Sequence, residues 1–359
     1  MKIKINMHYF KSLYIYFSIL ALIISFFSTT KVNANAFQIN DIEISRPFEK
    51  DFNKNIVINT GFKKAFFLLI NTIIKSSDLK KINNVKLNEI KGMVETFSIR
   101  EEKFINQEYF VNLGVSFNKK KIYDYLEKNN IFPSQIVEET FLFIPIIIDE
   151  NINNLLIFSE NYIYNDWNEI NQKSQLINYM LPTEDLEDIS LIKNKLDILE
   201  EYDFDEIIKK YSLNHSIVCL IFKNEESVKI LSKINIEDKS VLRNHTFEKI
   251  DFKNKNEIKL LIERLKVIYD DVWKEFNIIN TSIKLPLYVK VKNKNLKISS
   301  NFEKSLNSID LINDYSITKL DKDFVYYEII FNGTPPNFIN IMGKMNYQFN
   351  TEKKIWILK

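Results

Sequence analysis

The order of apolar and polar positions divides the chain into three blocks. In the first, about residues 37–135, FQINDIEIS (Phe37–Ser45) alternates and predicts a half-exposed strand. Residues 56–74 carry Phe62, Ala65, Phe66, Leu69, Ile70 and Ile73 at helical spacing. A short helical or turn segment at 88–91 follows. Residues 94–100 and 109–117 alternate as paired strands joined by 103–108, and 119–129 form a short helix ended by Phe132-Pro133. The second block, about 138–280, opens with FLFIPIIID (Phe141–Asp149), a continuous apolar run of the kind a strand buried on both faces shows. A short strand at 155–159 is expected next, then a helix at 165–179, a break at Leu181-Pro182, and a helix at 203–211. SIVCLIF (Ser216–Phe222) is a second buried strand, with Val228–Ile236 as its hairpin partner. Residues 257–276 form the clearest helix, with Ile258, Leu261, Ile262, Leu265, Ile268, Val272 and Phe276 on one face. The third block, 284–359, parses as strand 287–291, helix 299–308, strands 312–319 and 324–331, helix 335–342 and strand 347–358. That βαββαβ order is ferredoxin-like. The expected class is α+β, a set of α/β sandwich modules with a ferredoxin-like unit at the C-terminal end.

The segment before residue 37 reads differently. Residues 1–36 contain no acid. Lys2, Lys4 and Lys11 precede an apolar run from Leu13 to Phe27, and a polar stretch leads to Ala34-Asn35-Ala36. A basic start, a short apolar run and a small-residue site predict a secretory signal peptide cut between Ala36 and Phe37, which implies a periplasmic product. The alternative is retention of residues 13–27 as an inner-membrane anchor, although the run is short of the roughly 20 residues that a spanning helix needs.

Composition sharpens this. The 359 residues hold 49 basic and 47 acidic side chains, and the leader takes four lysines and no acids, so the remainder carries −2. A near-neutral surface with interspersed charge offers no footprint for nucleic acid. Five glycines, one cysteine and three scattered histidines leave no phosphate-cradling loop, disulfide framework, zinc cluster or other expected metal or cofactor site.

Candidate chemistry is sparse. Glu184, Asp185, Glu187 and Asp188 could hold a cation or supply acid/base carboxylates, but after Pro182-Thr183 they also suit the start of a helix. Cys219 lies within an apolar strand, where a thiol acts as a small hydrophobe, and His215 is four residues before it. His245 falls in a polar stretch, Arg243–Thr246, and is expected in a solvated loop. Asn332–Pro336 is expected to be a turn and helix start rather than a binding loop. Trp167, Trp273 and Trp356 are expected in the core rather than as partner anchors. The lysine runs 119–121 and 290–297 could touch anionic lipid or peptidoglycan but read as solvated surface. No catalytic, cofactor-binding or metal residue is assigned.

Three stretches of the middle block resemble a family of Gram-negative envelope proteins known only as a domain of unknown function: Phe141–Asp149; YMLPTEDLEDI (Tyr179–Ile189) preceded by Trp167; and DEIIKKYSLNHSIVCLIF (Asp205–Phe222). The opening strand and long helix, and the terminal block with Trp356, fit the same layout. The first block is also similar to the amino-terminal domain of a flagellar assembly protein, and the middle block to periplasmic α/β domains that bind other proteins. These likenesses imply a cell-envelope protein that binds other envelope proteins, and they carry no catalytic residue. The contrasting expectations are a carboxylate-dependent envelope hydrolase and a membrane-tethered assembly factor.

Overall fold

A computed structural model of the chain describes residues 37–170, 174–293 and 296–359. Residues 1–36, the segment expected to be a signal peptide or anchor, lie outside the described residues. The α+β class is realised as three separate sheets, one in each block.

The first sheet joins β1 (Gln38–Pro47), β2 (Val94–Ile105) and β3 (Glu108–Phe117) in the order β1-β3-β2, all antiparallel. Helices α1 (Lys54–Ile73) and α2 (Leu87–Met93) lie between β1 and β2 in sequence. Asn53 starts α1 by accepting a hydrogen bond from the Asn55 amide, 2.9 Å away. The helix is long and apolar enough to cross a membrane by composition. Here Phe62, Ala65, Phe66, Leu69, Ile70 and Ile73 are buried, so its apolar stripe is spent on the core. Both strands of the hairpin run further than expected: the connection is only Asn106-Gln107, both with positive φ, as a tight two-residue hairpin turn requires. Helix α3 (Lys119–Lys128) follows.

The middle sheet contains β4 (Glu139–Asp149), β5 (Asn154–Leu156), β6 (Ile177–Met180), β7 (His215–Lys223), β8 (Ser227–Ile236) and β9 (Lys239–Glu248). Its order is β5-β4-β7-β8-β9, with β6 pairing in parallel beside β4. The unbroken apolar run of β4 is explained by two cores. Phe141, Phe143 and Ile147 face one core, and Leu142, Ile144, Ile146 and Ile148 face the other. Helices α4 (Tyr162–Asp166), α5 (Leu186–Lys193), α6 (Asp205–Lys209) and α7 (Lys255–Phe276) complete the layers. The expected helix at 165–179 is corrected. Helix α4 ends at Asp166 and residues 177–180 form β6, because the backbone there pairs with Glu139–Leu142. Asn161 drives the early turn, capping α4 while its amide reaches Pro145 and Leu156 carbonyls.

The last sheet has β10 (Leu285–Lys292), β11 (Ile312–Leu320), β12 (Phe324–Phe331), β13 (Phe349–Asn350) and β14 (Ile355–Leu358), ordered β11-β12-β10-β14-β13. Helices α8 (Leu296–Ser308) and α9 (Pro335–Lys344) connect them. The order of β10, β11 and β12 is the ferredoxin-like split βαβ. The final segment differs from the single expected strand. It folds as a hairpin, so β14 runs parallel to β10. The polar stretch after Asn350 supplies the break, with Asn350 accepting from the Glu352 amide.

Polar contacts knit the blocks. Gln135 and Ile279 amides donate to Asn277 and Pro133 carbonyls. Asp271 accepts from the Ser76 amide and hydroxyl. Residues 37–359 form one compact unit.

Candidate functional site

The acidic segment is absorbed by local structure. Asp185 caps α5, accepting from the Glu187 amide at 2.9 Å, and this bond, with Lys210 Nζ at 3.2 Å, holds its carboxyl below the usual range. Asp188 is buried and accepts from the same Lys210 at 2.6 Å. Glu187 points into solvent. Three of the four acids, Asp185, Glu187 and Asp188, are therefore arranged around one lysine instead of lining a cavity. Among the described residues no group of three or more His, Cys, Asp or Glu could hold a metal ion.

The other candidates are placed as firmly. Cys219 is fully buried, and burial pushes its thiol up to about 12. His215 is stacked on Phe141 at 5.0 Å, and its Nδ1 accepts from the Glu237 amide. Trp167 is completely buried and stacked on Phe143 at 3.7 Å, while Trp273 donates to the Val137 carbonyl. Trp356 lies beside Phe338 in the last block. Asn332 donates to the Thr281 and Ile283 carbonyls, and Pro335 opens α9, so 332–336 is a turn and helix start. Lys119 departs from the solvated surface expected of it. It donates to the Ile309 carbonyl at 2.9 Å and ties α3 to the last block, and burial lowers it to about 8. Of the second lysine run, 294 and 295 lie outside the described residues, and Lys290 sits over the Phe324 ring.

His245 is the placement that sequence reasoning missed. It lies not in a loop but in β9, paired with Ile230 of β8. The order of the sheet ends at β9, so one side of this strand has no neighbouring strand among the described residues. Beside it runs α7, and between them lies a cavity of about 490 Å³. Its walls are His245, Thr246 and Phe247 from the strand and Leu260, Glu263, Arg264, Val267 and Ile268 from the helix. Leu260 is 54% exposed, a large apolar side chain left open on the rim. The Arg264 guanidinium is 6.0 Å from the Phe247 ring centre. Burial, helped by Arg243, lowers the pKa of His245, and its Nε2 is buried without a hydrogen-bond partner.

Two sequence signals mark this site in retrospect. Val241, Arg243, His245 and Phe247 alternate with more exposed residues. On α7, Leu260 and Val267 form a second apolar stripe, off the face that is buried in the core. No protein-family model and no curated protein matches the chain.

Proposed function

We propose that the chain is a secreted, non-enzymatic protein of the cell envelope that binds an extended segment of another envelope protein along β9. One observation carries this reading: a strand edge that is unpaired among the described residues stands beside a cavity with an apolar floor from a helix and charged groups on its walls. An added strand would take its backbone hydrogen bonds from β9. Its inward side chains would rest on Leu260, Val267 and Ile268. Arg264, Glu263 and His245 would then choose among sequences through their polar atoms. The basic, apolar and small-residue order of residues 1–36 supports export.

The test uses a photo-crosslinking amino acid placed at Leu260 or Thr246 in living cells, with Ile152 as an exposed control away from the cavity. Groove-specific adducts with one envelope protein are expected, and R264E should reduce them. A synthetic peptide from the crosslinked segment should bind the purified chain, and N-methylation of its backbone should weaken binding at least about tenfold. Adducts that form equally at Ile152, or a peptide indifferent to N-methylation, would overturn the reading. The intact mass of the exported chain should correspond to a first residue of Phe37.

A further inference from the structure

The first sheet also ends on an open strand, and its side chains describe a different occupant. β2 is twelve residues long, and among the described residues nothing pairs with its outer edge. It nevertheless presents Phe97 at 47% and Phe104 at 60% exposure, with Ile99 and Ile105 also exposed. The reason is geometric. Phe97, Ile99, Glu102 and Phe104 lie opposite Val115, Leu113, Val111 and Tyr109, whose side chains are in the core, so they are on the helix side of the sheet. Helix α1 packs mainly on β1 and β3 and reaches β2 through Phe62, whose ring centre is 5.2 Å from that of Phe97, and through Lys54; Phe104 rests on Phe48, and the outer parts of both β2 rings stay open.

A bulge sits in the middle of the strand. The register with β3 passes from Ile99 to Glu101, which leaves Arg100 as the extra residue. In an unbulged strand, Phe97 and Phe104 would point to opposite faces, since side chains alternate with a period of two. The extra residue brings both onto the same face. About the Arg100–Glu101 bond the segment is then self-complementary. Turned end for end, it sets Arg100 against Glu101 and Phe97 against Phe104, and each pair occurs twice.

We propose that a second copy of this chain pairs antiparallel along β2, about a two-fold axis at Arg100–Glu101, and joins two three-stranded sheets into one of six. Opposite charges and paired aromatic rings directly across an antiparallel edge each stabilise it, and like charges there oppose it. The Ile99–Glu102 pair completes the register. The carboxylate of Glu102 is already held by Lys54 at 2.7 Å and by the Tyr109 hydroxyl, so it arrives neutralised. Within its own chain Arg100 is paired with Asp41 and Glu101 with Lys103, so the axial pairs form by exchange with these exposed partners.

The experiment is sedimentation of the purified chain over a concentration series, with charge swaps at the axis. The wild type should show a concentration-dependent dimer. R100E and E101R should each weaken it by about tenfold or more, and the double variant R100E/E101R should recover most of the loss. Recovery is the discriminating result. Arg100 also bonds Asn40 and Asp41 of its own chain across Gly114, and the double variant cannot restore those contacts. F97S, which touches no charge, should also loosen the dimer if R100E proves poorly folded. A chain that stays monomeric, a dimer indifferent to E101R and F97S, or a double variant no better than the singles would overturn the proposal.

Discussion

Lys266 offers the sharpest quantitative test of the packing. It lies on α7 at 1% exposure, with its ammonium 5.2 Å from the Trp167 ring centre and 5.1 Å from that of Tyr179. Its one hydrogen bond in the described structure goes to the Ile170 carbonyl, at 2.6 Å. Burial lowers its pKa from 10.5 to about 8. At about 1.4 kcal/mol per pH unit, this is a cost of roughly 3 kcal/mol for keeping the charge in the core. Replacing Lys266 by Met keeps the unbranched stem and removes that cost. It also loses the bond to Ile170 and the cation–ring attraction, together about 1–2 kcal/mol. K266M should therefore be about 1–2 kcal/mol more stable than the wild type at pH 7.

The pH dependence separates this account from simple repacking. Below about pH 8 the lysine is protonated in both folded and unfolded chains, so the full penalty applies. Between about pH 8 and the unfolded value near 10.5, the unfolded chain binds a proton that the folded chain lacks, and wild-type stability rises with pH. Lys119 adds to the same window, so only the difference between wild type and variant isolates Lys266. Urea unfolding of both proteins at several pH values should show the advantage of K266M shrinking above about pH 8, gone at about pH 9 to 9.5, and reversed near pH 10. A K266M protein less stable than the wild type at pH 7, or an advantage independent of pH, would refute the reasoning.

Three further outcomes follow from the same geometry. Cys219 should resist alkylation in the native chain and react only as fast as the protein opens, which mass spectrometry under a urea series would show. Removing the buried Asp188 carboxylate in D188A should cost about 1–3 kcal/mol, near the low end of values for a broken buried pair because Lys210 is 40% exposed and can turn to water; thermal melting measures this. Gly61 of α1 is where the helix closes on Leu113, and a Cβ there would collide with the Leu113 side chain. G61V should therefore lower stability by about 1–3 kcal/mol in urea titration, and L113A introduced beside it should return part of the loss.

What the sequence made legible, and what it hid, follows from where each residue meets water. The run Phe141–Asp149 was readable because both faces of β4 are buried, and the stripe of α7 because one face is. The segment 165–179 misled because Trp167 and Ile170 mimic helical spacing. Trp167 actually enters the core at the end of a short helix that Asn161 starts, and Ile177–Met180 then runs beside β4. The hairpin at 349–358 was hidden because two-residue β13 is too short to show any period. β9 was lost for a more general reason. Apolar alternation reports burial, and an edge strand is buried on neither its open side nor much of its faces, so Arg243 and His245 occupy positions that would be aliphatic in a central strand. Pairing, unlike burial, leaves its trace in complementarity between residues that are distant in sequence or in another chain. The Arg100–Glu101 order of β2 is such a trace. Both proposed interfaces lie on edges, so the parts of this chain with the weakest hydrophobic pattern are the ones through which it is proposed to meet its partners.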